Sequence, residues 1–82
     1  MRDMIREEKY YVIQTSNGKF FHYDNYTGGY PYFSEYFDTA ERFKTKEKAQ
    51  EFMQSEYCTR MFKREFTGAV IKSVTVTMVL GD

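Results

Sequence analysis

Two side chains in this sequence could begin covalent chemistry: Cys58, its one cysteine, and His22, its one histidine. A thiolate nucleophile needs a base within hydrogen-bond reach. On a helical wheel Cys58 falls opposite Ala49 and Met53, on the outer side of a helix, while His22 lies in a hairpin. A meeting across a sheet is not expected, so the reading is a surface thiol and a hairpin histidine. One Cys and one His do not make a tetrahedral metal set. Asp24, Glu35 and Asp38 are carboxylates near a loop, and turn and cap roles account for two of them. Gly28-Gly29 lacks the helix start with Lys and Ser/Thr that a phosphate loop requires. The expectation is a chain without catalytic residues, metal or cofactor.

Binding chemistry is better represented. Between Tyr26 and Phe37 the rings of Tyr26, Tyr30, Tyr32, Phe33, Tyr36 and Phe37 alternate with Gly, Ser, Thr and Asn. This is the composition of a paratope, in which rigid amphipathic rings supply contact area and small polar residues adapt. Tyr26, Tyr30, Tyr32, Phe33 and Tyr36 are the candidate partner-binding residues. The competing reading folds half of these rings back over the core. A second candidate is the basic run Arg42, Lys44, Lys46 and Lys48, with Arg60, Lys63 and Arg64 further on; interleaved with aromatics it could grip single-stranded nucleic acid. Glu41, Glu47, Glu51, Glu56 and Glu65 stand among these cations, which favours a solvated face of mixed charge.

The elements that must position these residues follow from periodicity. Residues 39–57 carry the helical period: Ala49, Met53 and Tyr57 recur every fourth residue with Phe52 on the flank, and Thr45 is a cap. The end of the helix lies between 57 and 64. Lys9 to Thr15 reads as a strand, Asn17-Gly18 as a hairpin turn, and Lys19 to Asp24 as the return strand. A three-residue loop with a bulge places Ile13 opposite Phe21 and Tyr11 opposite Tyr23; Tyr11, Ile13, Phe21 and Tyr23 then point inside and Gln14, His22 and Asp24 outside. That register segregates polarity better than a two-residue loop. Pro31 confines its neighbourhood to an edge strand or extended loop, with Tyr32 to Ser34 a short third strand. Asp38 or Thr39 caps a single helical turn with Ala40 and Phe43 inward. After Gly68, the alternation of Val74, Val76, Met78 and Leu80 with Ser73, Thr75, Thr77 and Val79 marks a half-buried strand. It is expected to be paired on both sides or used in a homodimer, because a bare edge of this kind aggregates. If 32–34 is a strand, parity makes the last strand parallel to the first; if not, the two run antiparallel.

The 82 residues fit one domain, with residues 1–8 a flexible lead-in. A chain this short buries only about 60–65% of the surface its unfolded form exposes. Eight Tyr and eight Phe exceed what such a core can hold, so some rings face solvent or a partner. Twelve cations balance twelve anions, which disfavours both a duplex-DNA binder and an acidic DNA mimic. A lone cysteine, a charged N-terminus and the lack of a long apolar run point to the cytoplasm, with no membrane span.

Ala40, Phe43, Thr45, Ala49 and Phe52, in the pattern A-x-x-F-x-T-x-x-x-A-x-x-F, follow a Y-V-I-x-T-x-N-G-x-F-F hairpin (Tyr11 to Phe21). Together they resemble small uncharacterised ββαβ proteins of phages and prophages of Gram-positive bacteria. The resemblance implies a non-enzymatic module that binds and blocks a host protein, as anti-CRISPR and other anti-defence proteins do, in the cytoplasm of the bacterial host. The expected fold is α+β, ββ(β)αβ: a small sheet of three or four strands packed on one face by a single main helix. Besides a host-protein inhibitor acting through the Tyr-rich loop, two other functions fit the sequence. One is a nucleic-acid-binding accessory protein using the basic helix face; the other is a homodimeric structural protein paired through the last strand.

Overall fold

The computed structural model describes residues 4–24 and 29–81. Its order is β1 (Met4–Gln14), β2 (Phe20–Asp24), β3 (Tyr30–Ser34), α1 (Lys46–Gln54), α2 (Glu56–Met61), α3 (Lys63–Phe66) and β4 (Val70–Leu80). The class is α+β, with an antiparallel sheet ordered β3-β2-β1-β4 and the helices on one face.

The first hairpin forms as the Asn-Gly signal predicts. Thr15 and Lys19 close a three-residue loop, Thr15 N donating to Lys19 O at 2.7 Å, and Gly18 takes φ 85° at its last position. Only glycine adopts that angle without strain. The register sets Gln14 opposite Phe20, so Ile13 and Phe21 share the helix-bearing face and one buried cluster. The hairpin then splits. Residues 41–43 enter the gap: Glu41 N donates to Phe21 O on the β2 side, and Tyr11 and Phe43 exchange backbone hydrogen bonds of 2.8 and 2.9 Å on the β1 side. The expected pairing of Tyr11 with Tyr23 is replaced by Tyr11 with Phe43. Tyr23 is exposed as a result, and His22 is buried rather than outside.

The inserted segment separates two cores. On the helix face Ile13, Phe21, Ala49, Cys58 and Phe62 are buried, with Phe33, Phe43, Phe52 and Phe66 packed around them. Phe21 is the hub, its ring lying 5.0 to 6.1 Å from those of Phe33, Phe52, Phe62 and Phe66. On the opposite face Tyr10, Val12 and Ala40 form a smaller cluster with Phe20, Val74 and Val76. Ala40 and Phe43 both point inward, as their spacing suggests, but to opposite faces and without the expected helical turn.

The single helix resolves into three short ones. Thr45 caps α1 as expected, accepting from Lys48 N at 3.1 Å. Ser55, with ψ 154°, stops α1 and starts α2: its hydroxyl donates to Phe52 O and accepts from Cys58 N. A serine offers the backbone such an alternative partner, which is why a helix breaks there.

β4 pairs with β1 in register along its whole length, Met4 with Leu80 through Gln14 with Val70, and it is antiparallel. The parity argument failed because residues 35–44 run back down the sheet before the helices climb again; β4 therefore starts beside the end of β1 where β3 also ended. Nor is β4 paired on both sides, since it forms the sheet edge. Residues from Met4 onward belong to β1, not to a flexible lead-in. The β1–β4 ribbon outruns the rest of the sheet, and the molecule measures 54 × 27 × 21 Å.

Phe21→Ala should therefore cost about 3–5 kcal/mol, close to the full stability of so small a chain. Tyr36→Ala, at an exposed position, should cost under about 0.5 kcal/mol. Urea unfolding followed by circular dichroism distinguishes the two, and equal midpoints would contradict the hub assignment.

Candidate functional site

Cys58 and His22 are not brought together. Phe21 points into the helix-face core, so its neighbour His22 points to the other face, as successive strand residues must. Cys58 lies in the helix-face core itself. It was expected on the outer side of a continuous helix; the break at Ser55 restarts the helical phase and turns the thiol inward. Burial pushes the Cys58 thiol above its ordinary value, and a hydrogen bond with Ser55 offsets this in part. No three of His, Cys, Asp and Glu converge to hold a metal among the described residues.

The aromatic loop sorts itself by alternation along β3. Tyr30 and Tyr32 project from the helix-free face, 50% and 40% exposed, their rings 5.9 Å apart. Tyr36 is 61% exposed just beyond the strand, where its backbone N–H donates to Ser34 Oγ. Phe33 points the other way and is a core residue: its ring lies 5.8 Å from those of Phe21 and Phe62 and 5.9 Å from that of Phe66. It lies on the helix side of the sheet, apart from the exposed tyrosine face. Tyr26 lies outside the described residues.

The tyrosine surface rests on a prepared base. Tyr32 pairs across the strands with His22 and stacks on its imidazole, centroids 4.7 Å apart and planes 19° from parallel. His22 is 1% exposed, and neither ring nitrogen has a hydrogen-bond partner among the described residues. Unpaired buried nitrogens cost stability, on the order of 1–3 kcal/mol. The Tyr32 ring covers this imidazole. Gly29, with φ 82°, immediately precedes β3, and a Cβ there would meet the Tyr23 ring at 2.9 Å. Phe37 extends the surface, half-exposed and 6.1 Å from Phe20. Sequence reading counted Phe37 among the loop rings but not among the site residues; its place five residues past Tyr32 carried no periodic signal.

Charge divides sharply around these rings. From Phe20 through Glu41 every charged residue is acidic: Asp24, Glu35, Asp38 and Glu41. Glu35 and Asp38 are exposed and follow β3 directly. Lys72 on β4 shares a cleft with Phe20 and Phe37, and the other cations lie further off along the chain. Arg42 sits over the Tyr10 ring at 4.4 Å and Arg60 pairs with Glu56 at 3.3 Å, while Lys46 and Lys48 open α1. The charge-plus-stacking surface expected of a single-strand binder is thus not assembled at the tyrosines.

No protein-family model, curated protein or solved structure matches the chain. No described helix is long and apolar enough to cross a membrane.

The Cys58 environment makes two readouts. Thiol labelling of the native protein should be slow and should become rapid only on unfolding, whereas an immediate stoichiometric reaction would contradict its burial. Because the folded-state pKa lies above the unfolded one, the unfolded chain ionises first as pH rises. Stability from this group is complete below the ordinary value of 9.0 and declines above it. Cys58→Ala should remove that alkaline component of the unfolding midpoint.

Proposed function

We propose that this chain is a non-enzymatic protein-binding module that acts by occlusion, with Tyr30, Tyr32 and Tyr36 as its anchors. The observation that carries the reading is the exposed pair Tyr30–Tyr32 on β3, with Tyr32 stacked on the buried His22 and Tyr30 packed beside Tyr32. Rings held in place before binding lose little entropy on contact, and that is how aromatic anchors reach high affinity. Glu35 and Asp38, the exposed carboxylates in the residues after β3, name the complementary chemistry. A partner surface presenting Arg or Lys among apolar groups would set its cations against Glu35 and Asp38 and over the tyrosine faces. Resemblance to phage and prophage proteins makes a host protein, met in the bacterial cytoplasm and blocked by steric cover, the natural target. Nucleic acid is disfavoured as the ligand of this surface, because phosphates would meet carboxylates there.

The test is capture from a bacterial host lysate on immobilised protein, wild type against Tyr30→Ala/Tyr32→Ala. Both side chains are exposed, so the double variant should stay folded. A partner retained by the wild type should be lost from the variant by more than about tenfold. Equal retention by the two would refute the surface, and so would an oligonucleotide bound through it with affinity falling steeply in salt.

A further inference from the structure

The two edges of the sheet are built differently. β3, at one edge, is five residues long and carries Pro31, which cannot donate a ladder hydrogen bond. β4, at the other, runs for eleven residues with no proline, no glycine and one charge, Lys72. Proteins that keep an edge solitary blunt it with charges, prolines or bulges. β3 is blunted in this way and β4 is not.

The residues along β4 are also self-complementary. A two-fold axis perpendicular to the sheet through Thr75 would set Thr75 against itself in an antiparallel pair. Ser73 would then meet Thr77, Ile71 meet Val79, Val74 meet Val76, and Val70 meet Leu80. Polar residues face polar and apolar face apolar at each of these positions, with only Lys72 against Met78 mismatched. Moving the axis to Val74 sets Ile71 against Thr77 and Val76 against Lys72; moving it to Val76 sets Leu80 against Lys72 and Val79 against Ser73. Only the axis at Thr75 keeps the classes together.

The same axis gives the projecting ribbon a seat. Ile5 and Val79 are cross-strand neighbours at its tip, 69% and 62% exposed. They share the helix-side face with Ile71, since alternate strand residues do. Beside Ile71 lies an open cleft of about 380 Å³ between α1 and the start of β4, lined by Met53, Ala69 and Ile71 with Lys46, Gln50 and Gln54 at its rim. Pairing Val79 of one chain with Ile71 of the other carries the Val79–Ile5 tip to the mouth of that cleft. An exposed apolar tip and an apolar cleft, placed in register by a backbone ladder, form a two-way clasp.

We propose that the occupant of the β4 edge is a second copy of this chain, joined about Thr75 into a continuous eight-stranded sheet with each ribbon tip in the partner's cleft. The inference is independent of the tyrosine reading. In such a dimer β3 lies at both outer edges, leaving two tyrosine surfaces open and bivalent.

Thr75 pairs with Lys9 inside one chain. Thr75→Glu thus gains an attractive neighbour within the monomer while setting two carboxylates against each other across the axis. Sedimentation should give twice the 9.9 kDa chain mass for the wild type in the micromolar range and one chain mass for Thr75→Glu. Mixing Thr75→Glu with Thr75→Lys should restore the dimer, as opposite charges then meet. Ile5→Ser, which removes an exposed side chain from the monomer, should weaken dimerisation by at least about tenfold. A wild type that stays monomeric overturns the proposal. A Thr75→Glu dimer as tight as wild type, or one not recovered by mixing, overturns the axis, and an Ile5→Ser dimer of unchanged strength overturns the clasp. Loss of the dimer with lysate capture intact would leave the tyrosine surface standing.

Discussion

The structure depends on one insertion: residues 41–43 lying between the legs of the first hairpin, held by the reciprocal backbone bonds of Tyr11 and Phe43. Pried apart there, β1 and β2 would each leave a row of backbone donors and acceptors unmet, which a buried sheet cannot tolerate. The inserted strand meets those groups on both sides, with Glu41 bonded to Phe21 and Phe43 to Tyr11. Because successive residues of an extended chain face opposite ways, the same three residues stitch the two cores together. Ala40 and Arg42 reach the helix-free side, where Arg42 covers Tyr10, and Phe43 reaches Phe52 on α1.

This arrangement explains where the aromatic surplus goes. Six of the eight phenylalanines take the helix face, as rings without a polar handle should, and Phe20 and Phe37 pair on the other side. Their T-shaped and tilted contacts make Phe21, Phe33, Phe52, Phe62 and Phe66 one aromatic cluster. The tyrosines of β3 are left on the helix-free face, beyond the reach of the segment that covers Tyr10 and Val12. Acidic residues collect on that stretch while cations gather on the residues that enter and form the helices. Glutamates stand among those cations, so the helix side is a face of mixed charge, while β3 presents Tyr30 and Tyr32 to solvent.

Much of this was legible from residue types. Asn17-Gly18 and the polarity of the flanks gave the loop length and the contact of Ile13 with Phe21, because a slip of one residue would exchange the faces. Thr45 announced α1, Pro31 an edge position, and the Val/Thr alternation β4. What could not be read depends on distant partners. The split of the hairpin requires knowing that 41–43 arrives from elsewhere, and with it went the prediction that Tyr23 faces inward and His22 outward. Treating the stretch from the Thr45 cap to an end between 57 and 64 as one helix hid the effect of Ser55, which reset the phase and moved Cys58 from surface to core. Phe33 was misplaced for a simpler reason: once 30–34 is a strand, alternation alone separates Phe33 from Tyr30 and Tyr32, and the lack of a hydroxyl agrees. The antiparallel course of β4 was missed because the connection folds back on itself.

The insertion can be examined directly by nuclear magnetic resonance, through the cross-strand contacts of Tyr11. The account predicts a strong Hα or amide contact between Tyr11 and Phe43, with both amides protected from exchange as long as those of the β1–β4 ladder. A Tyr11–Tyr23 contact with a freely exchanging Phe43 amide would mean an unsplit hairpin and would contradict it.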